Sequence, residues 1–324
     1  MVKLSLILPV YNVSKFIDRC LNSICCQNNQ NIEIIVIDDE SPDDSIDKVE
    51  KYICLNQINN LRIIHQKNRG LGGARNRGIS ESKGEYVWFI DSDDEINQGA
   101  IPFILNKIDN EDVIIFDFDM IDNNGEHHYG TYNKISCRTH LKGTDIEKNF
   151  ILTQAWRSIY NRNFLIKENL YFREHFLHED GEFNMRVMCL AGDVSYYPKL
   201  VYHYYTCNNG SIMNTIGIKN IKDLLLHIDT MENMIIKYQN LSNEQKDLLI
   251  KHTQASIGVI FSDVLKMDKS IMPEFRKIIK NNRQKIRNVV INKSHPSMWN
   301  LVKFYIQLYL PFKPIYRLIY LKHI

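Results

Sequence analysis

The sequence predicts an α/β protein in which a mostly parallel sheet with crossover helices is followed by a mainly helical C-terminal region. Three observations carry that expectation. Short β-rich runs alternate with helix-like ones through the first third of the chain, the pattern of a parallel sheet with crossovers. Acidic clusters recur where those runs end, as at Asp38-Asp39 and Asp91-Ser92-Asp93, and open sheets of this class bind ligands beyond the carboxyl ends of their strands. From Ile218 onward the apolar spacing turns helical. A chain of 324 residues, 44% of them hydrophobic, is long enough to bury a full core over one large domain and an appendage.

Residues 3–8 form the expected first strand, followed by a turn over residues 9–12. Ser14 is placed to cap a helix whose apolar residues Phe16, Ile17, Cys20, Leu21 and Ile24 share one face. Residues 32–37 and 61–64 read as buried strands, residues 86–90 as a fourth and residues 113–118 as a fifth. The stretch 130–215 is mixed, with Trp156, a helix near residues 179–190, and aromatic strands at 194–197 and 201–205. A boundary near residue 215 separates an expected α/β domain, 1–215, from a helical region, 216–324. That region opens with amphipathic helices at about 218–240 and 244–267, parted by Leu241-Ser242-Asn243.

Charge is distributed unevenly. Residues 276–324 hold eleven Lys/Arg and no Asp/Glu, which leaves 29 Lys/Arg against 38 Asp/Glu, a net −9, in residues 1–275. An acidic body with a basic tail suits a protein that meets an anionic surface. The tail also carries Trp299, Phe304, Tyr305, Tyr309, Phe312, Tyr316 and Tyr320, but it is too interrupted to span a bilayer. It reads as an interfacial helix on anionic lipid, the alternative being a helix packed on the catalytic domain or on a second subunit in a homodimer. Its aliphatic and aromatic content argues against nucleic acid as the partner. The N-terminal MVKLSLILPVYN reads as a strand rather than a leader. Seven cysteines without CxxC spacing suit a reducing, cytoplasmic setting.

Asp91-Ser92-Asp93 follows the apolar run YVWFI, and two carboxylates one residue apart at a strand end can offer oxygen ligands to magnesium or manganese. A metal there stabilises charge on a leaving diphosphate. The acidic run Asp38-Asp39-Glu40-Ser41-Pro42-Asp43-Asp44 offers acceptors to a nucleoside, and Ser41 or Asp43 can at the same time cap the next helix. Asn68-Arg69-Gly70-Leu71-Gly72-Gly73-Ala74-Arg75 reads as a glycine-rich loop that allows close backbone approach and turns Arg75 toward phosphate.

LSLILPVYN, IDDESPDDS, NRGLGGARNRGI and YVWFIDSDD together resemble the family 2 glycosyltransferases in order and spacing over residues 4–94. A weaker resemblance runs through Trp156, Phe172 and His178-Glu179-Asp180-Gly181-Glu182-Phe183 to Gly210-Ser211-Ile212. It implies a GT-A (Rossmann-like) nucleotide-sugar-binding domain and an inverting, metal-dependent transfer of sugar from a nucleotide diphosphate donor, UDP by analogy. The acceptor implied is a saccharide or lipid-linked glycan in surface polysaccharide synthesis, and the setting is the inner face of the cell membrane. It further implies donor contacts from Pro9, Tyr11, Asp39, Arg75, Asp91, Ser92 and Asp93, with Asp93 and Asp91 on the metal and Asp180, then Glu179, as base. His203 is a further candidate for the metal and Trp156 for the acceptor. Where relatives often carry a lysine two residues after the tryptophan, this chain has Ser158, with Arg157 beside it. Two rival readings are a sugar-1-phosphate nucleotidyltransferase, whose glycine-rich loop belongs after the first strand where this chain reads PVYNVS, and a non-catalytic nucleotide-sugar-binding protein.

Overall fold

The computed structural model describes residues 1–27, 29–129, 136–148, 151–206, 217–264 and 269–290. In chain order the first half runs β1 (Leu4–Val10), α1 (Ile17–Cys25), β2 (Ile32–Asp38), α2 (Ser45–Asn56), β3 (Leu61–His65), α3 (Gly70–Glu81), β4 (Tyr86–Phe89), β5 (Glu95–Ile96), α4 (Ala100–Leu105) and β6 (Val113–Ile121). It continues with β7 (His127–Tyr129), β8 (Arg138–Leu141), α5 (Gly143–Ile146), β9 (Ser158–Asn161), α6 (Arg162–Lys167), α7 (Glu179–Leu190) and β10 (Val194–Tyr205). The described strands form one sheet in the order β3-β2-β1-β4-β9-β6-β10-β5, with β7 on β6 and β8 on β10. The α/β expectation from the alternating pattern holds.

Strands β3, β2, β1 and β4 are mutually parallel, and β1 is buried along its whole length. Burial on both faces explains why LSLILPV lacks the alternation of a half-exposed strand. Because these strands are parallel, the C-terminal ends of β2, β1 and β4, and with them Asp38-Asp39, Tyr11 and Asp91, open onto the same edge of the sheet. Strand β9 inserts antiparallel between β4 and β6, and β10 runs parallel to β6.

Several local expectations change. The first strand continues through Pro9 and Val10, so the turn begins later than its proline suggests. Helix α1 buries Ile17, Cys20, Leu21 and Ile24 as its spacing predicts, but Ser14 does not cap it. Its hydroxyl goes instead to Asp44, its N–H donates to Asp43 at 2.9 Å and its carbonyl accepts Lys48 Nζ at 2.5 Å. Asp43 accepts the Ser45 N–H at 3.2 Å at the start of α2. The two aromatic strands near residue 200 are one strand, β10, whose register against β6 shifts on either side of Leu200. Pro198, which lacks an N–H for the ladder, sits at that irregularity.

The glycine-rich segment is a helix rather than a loop. A Cβ on Gly72 would stand 2.3 Å from the Arg173 carbonyl oxygen, and one on Gly78 would stand 2.2 Å from Ile7 Cγ2. These glycines therefore let α3 lie against neighbouring protein backbone and β1, and close packing offsets the helix cost of ~1 kcal/mol each.

The chain divides into two compact units, Met1–Asn209 and Gly210–Ile324. The second contains α8 (Ile218–Lys237), α9 (Asn243–Val264), a 3-10 turn (Lys269–Ile271), α10 (Met272–Asn281) and α11 (Arg283–Val290). Helices α8 and α9 bury apolar residues that include Ile221, Ile228, Leu249 and Ile257, with a Ser256 Oγ to His227 Nδ1 bond of 2.9 Å among them. No described helix is long and apolar enough to cross a membrane. Gly210-Ser211-Ile212 and the aromatic, basic tail from Met298 lie outside the described residues.

Candidate active site

Helix α3 delivers Arg75 to the interior, the end of β4 delivers Asp91, and the first turn of α7 delivers Glu179 and Asp180. The guanidinium, with its side chain only 1% exposed, holds all three acids. Nη1 donates to Glu179 Oε1 at 2.9 Å and to Asp180 Oδ1, and Nη2 donates to Asp91 Oδ1 at 2.7 Å. Taking a guanidinium out of water costs several kcal/mol unless it is paired with good geometry, and three carboxylates supply that pairing. Its Nε finds no partner among the described residues. Arg75, expected beside the diphosphate, has its guanidinium paired with these three carboxylates, Asp91 of the acidic turn among them.

Glu179 and Asp180 differ in access. Asp180 is about 20% exposed and Glu179 about 9%, and Asp180 Oδ2 accepts the Ala155 N–H at 2.9 Å. Burial, then the charge of Asp180, pushes the Glu179 carboxyl well above the usual carboxylate range. Burial also raises Asp180, with Arg75 opposing and the Asp91 charge adding to the rise. A carboxylate held in this way is a stronger base than one in water, which is what proton abstraction near neutral pH requires.

Asp91-Ser92-Asp93-Asp94 forms a tight turn closed by the Asp94 N–H on the Asp91 carbonyl at 3.0 Å. Three further hydrogen bonds fasten the turn. Ser92 Oγ donates to the Pro9 carbonyl at 2.5 Å, Arg19 Nη2 donates to the Asp93 carbonyl at 2.5 Å, and the Asp91 N–H donates to Tyr202 Oη at 3.1 Å. Asp94, almost fully buried, accepts from Tyr202 Oη and the Tyr205 N–H, each at 2.9 Å. Burial, then the charges of Asp93 and Asp91, raises its carboxyl well above the ordinary value. That response marks a turn dense in negative charge, a fitting place for a hard cation with oxygen ligands.

At the ends of β1 and β2, Tyr11 is half exposed and Pro9 buried, while Asp39 is 2% exposed. Asp39 Oδ1 accepts Gln66 Nε2 at 2.7 Å and the Arg69 N–H at 2.8 Å, which fixes its carboxylate beside the start of α3.

The sequence matches the family model Glycosyl transferase family 2 over residues 5–175, more than half of the chain. The chain belongs to glycosyl transferase family 2. Among curated relatives, glycosyltransferase GlyA of Streptococcus pneumoniae is 34% identical over 217 residues, 62% of this chain but 30% of the relative. The cholesterol galactosyltransferase of Borreliella burgdorferi is 29% identical over 77% of this chain and 72% of its own length. TarS of Staphylococcus aureus, a poly(ribitol-phosphate) beta-N-acetylglucosaminyltransferase, is 30% identical over 66% of this chain and 37% of its own. The chain thus spans about a third to two thirds of the length of several relatives it matches. The crystal structure of S. aureus TarS 1–349 with UDP-GlcNAc superposes with a TM-score of 0.74 at 23% identity, covering 94% of this chain and 87% of that one. The fold is therefore GT-A.

Within this family 2 domain, two expected contacts fall elsewhere. Trp156 is 4% exposed, stacks on Tyr202 at 4.4 Å, packs edge-on to Phe118 and gives its carbonyl to Trp88 Nε1 at 2.7 Å. It is a core residue, its ring face covered by tyrosine rather than offered to an acceptor. His203 Nδ1 lies 2.5 Å from Asp119, and among the described residues neither Asp91 nor Asp93 joins it in a potential ligand cluster. Arg157 is also committed, donating to the Phe116 carbonyl and to Asp117. Sequence reading missed Arg19, Tyr202 and Tyr205. Asp94 carried a visible signal, since it extends the DSDD run, but its burial depends on β10 lying beside β5.

Proposed function

We propose that this protein is an inverting glycosyltransferase that moves a sugar from a nucleotide diphosphate donor, of the UDP class, to a hydroxyl of a saccharide or lipid-linked glycan. One observation carries the reading: Arg75 joins Asp91 of the acidic turn to Glu179 and Asp180 through a single buried guanidinium. The leaving-group side and the base side of a displacement are thus coupled at one point. Asp180, the more exposed acid of the pair, takes the proton of the attacking hydroxyl, and Glu179 holds Arg75 in place. Pro9, Tyr11 and Asp39 line the nucleoside end, and Ser92 fastens the turn beneath the diphosphate. Asp93 and Asp91 would hold Mg²⁺ or Mn²⁺, which when bound supplies positive charge to the departing diphosphate. UDP is favoured by the S. aureus relative whose structure contains UDP-GlcNAc.

We assign donor binding and catalysis to residues 1–215, and contact with an anionic membrane surface to the basic aromatic tail of the 216–324 region. A role in surface polysaccharide assembly at the inner face of the cell membrane fits these assignments. The decisive assay incubates the protein with a panel of nucleotide sugars and reads nucleotide release. UDP-sugar turnover that stops with chelator and returns with Mn²⁺ or Mg²⁺ is expected, with Asp93→Ala slower by ~100-fold or more. Chelator-resistant turnover by Asp93→Ala would remove the metal from the mechanism.

A further inference from the structure

Sheet register brings three potential metal ligands together, and neither Asp91 nor Asp93 is among them. The antiparallel pairing of β6 with β7 sets Asp119 opposite Tyr129, so His127, two residues back along β7, faces the same side as Asp119. The parallel pairing of β10 with β6 sets His203 beside Asp119. The Asp119 carboxylate is fully buried, and each of its oxygens meets one imidazole: Oδ2 lies 2.5 Å from His127 Nδ1 and Oδ1 lies 2.5 Å from His203 Nδ1. The rings stand edge to face with centroids 5.6 Å apart. All three ligand atoms fall within 4.8 Å of one another. Small side-chain rotations therefore let one ion with bonds of about 2.0–2.2 Å reach all three.

The donor set selects the ion. Two imidazole nitrogens and one carboxylate suit Zn²⁺ and its first-row neighbours, whereas Mg²⁺ and Ca²⁺ prefer shells of oxygen. A buried carboxylate also needs positive charge nearby, and among the described residues the ion-pair partners of Asp119 are these two imidazoles. The His127 side chain is 46% exposed, which leaves the ion a path from solvent and an open position for water.

We propose that Asp119, His127 and His203 bind one Zn²⁺-type transition-metal ion at a site separate from the Asp91–Asp93 turn. The ion fastens the β6–β7 hairpin to β10. That strand also supplies Tyr202 and Tyr205 to Asp94 on either side of His203, so the clasp steadies the strand on which the acidic turn leans. The ligands sit on three paired strands, so the site is built by the sheet.

The test uses the full chain, stripped with chelator and titrated with ZnCl2 in a calorimeter, alongside thermal melts and the visible spectrum of a Co²⁺ complex. One equivalent of Zn²⁺ bound at micromolar or tighter affinity is expected, with a rise in melting temperature and a tetrahedral or five-coordinate Co²⁺ spectrum. His127→Ala removes an exposed ligand from a sheet-edge strand and should leave the far-ultraviolet spectrum unchanged. It should weaken Zn²⁺ by at least ~100-fold, at or beyond the 10–100-fold typical of second-shell changes, and abolish the thermal shift. Asp93→Ala, in the acidic turn, and His128→Ala, in the neighbouring exposed group with Asp122 and Glu126, should bind Zn²⁺ as the parent does. Absence of Zn²⁺ binding by the parent, parent-like binding by both His127→Ala and His203→Ala, or loss in Asp93→Ala or His128→Ala instead would overturn the proposal.

Discussion

Arg75 holds Asp91, Glu179 and Asp180 in fixed relation, so substitutions there separate positioning from proton transfer. Asp180→Asn keeps the shape of the side chain and a hydrogen-bonding oxygen for Arg75 but removes the base. Steady-state kinetics should show turnover lower by ~100-fold or more with donor affinity nearly unchanged, while Glu179→Gln should lose less. Inactive Glu179→Gln beside active Asp180→Asn would exchange the two roles. The pH profile follows from the same burial. Both carboxyls are raised in the folded protein, so the ionised base is lost while pH is still above the ordinary carboxylate range. Turnover should rise with pH along an acid limb that lies above the values of free Asp and Glu, near 3.9 and 4.3. A limb centred at those ordinary values would show that no raised carboxyl acts as the base. For stability the sign is opposite, since a raised folded-state value favours the protonated acid: that contribution is complete below the unfolded values and is lost as pH rises through the folded ones.

At the scale of elements, α3 shows how close packing overrides local propensity. Alanine favours a helix over glycine by ~1 kcal/mol, yet at Gly72 the added methyl would meet a backbone carbonyl oxygen at 2.3 Å. Backbone gives way less readily than a flexible side chain, and overpacking typically costs about 1–3 kcal/mol. Urea unfolding should therefore find Gly72→Ala less stable than the parent by about 1–2 kcal/mol, with an unchanged slope. A more stable variant would mean that α3 and the Arg173 segment can separate at little cost. Because Arg75 is on the same helix, turnover should fall as well, the shift of α3 moving the guanidinium relative to Asp91.

Over the whole molecule, charge is the organising feature: an acidic body carries the acidic turn, and residues 276–324 carry eleven Lys/Arg and no acid. Basic and aromatic residues together suit adsorption to anionic lipid, each basic residue near the surface contributing ~1 kcal/mol. The full chain should sediment with vesicles containing phosphatidylserine and be released by salt. A truncation ending near Lys293 should remain folded and lose the binding. Equal binding by both, or unfolding of the shorter chain, would instead favour a tail packed on protein.

The sequence by itself determined what depends on local order. Continuous apolar runs specified the central strands, since strands covered on both faces need no polar alternation, and those runs placed Asp39 and Asp91 at strand ends. The first turn of α7 could likewise be read from Glu179 onward. Tertiary structure decided everything that depends on partners distant in the chain. Arg75 meets Glu179 and Asp180 more than a hundred residues away, Gly72 meets the Arg173 carbonyl, and Trp156 disappears beneath Tyr202. His203 meets Asp119 across a strand register. A side chain's type and spacing set what chemistry it can perform. Which groups it performs that chemistry with follows from the order and register of strands in the sheet, which are long-range properties that no local window of sequence contains.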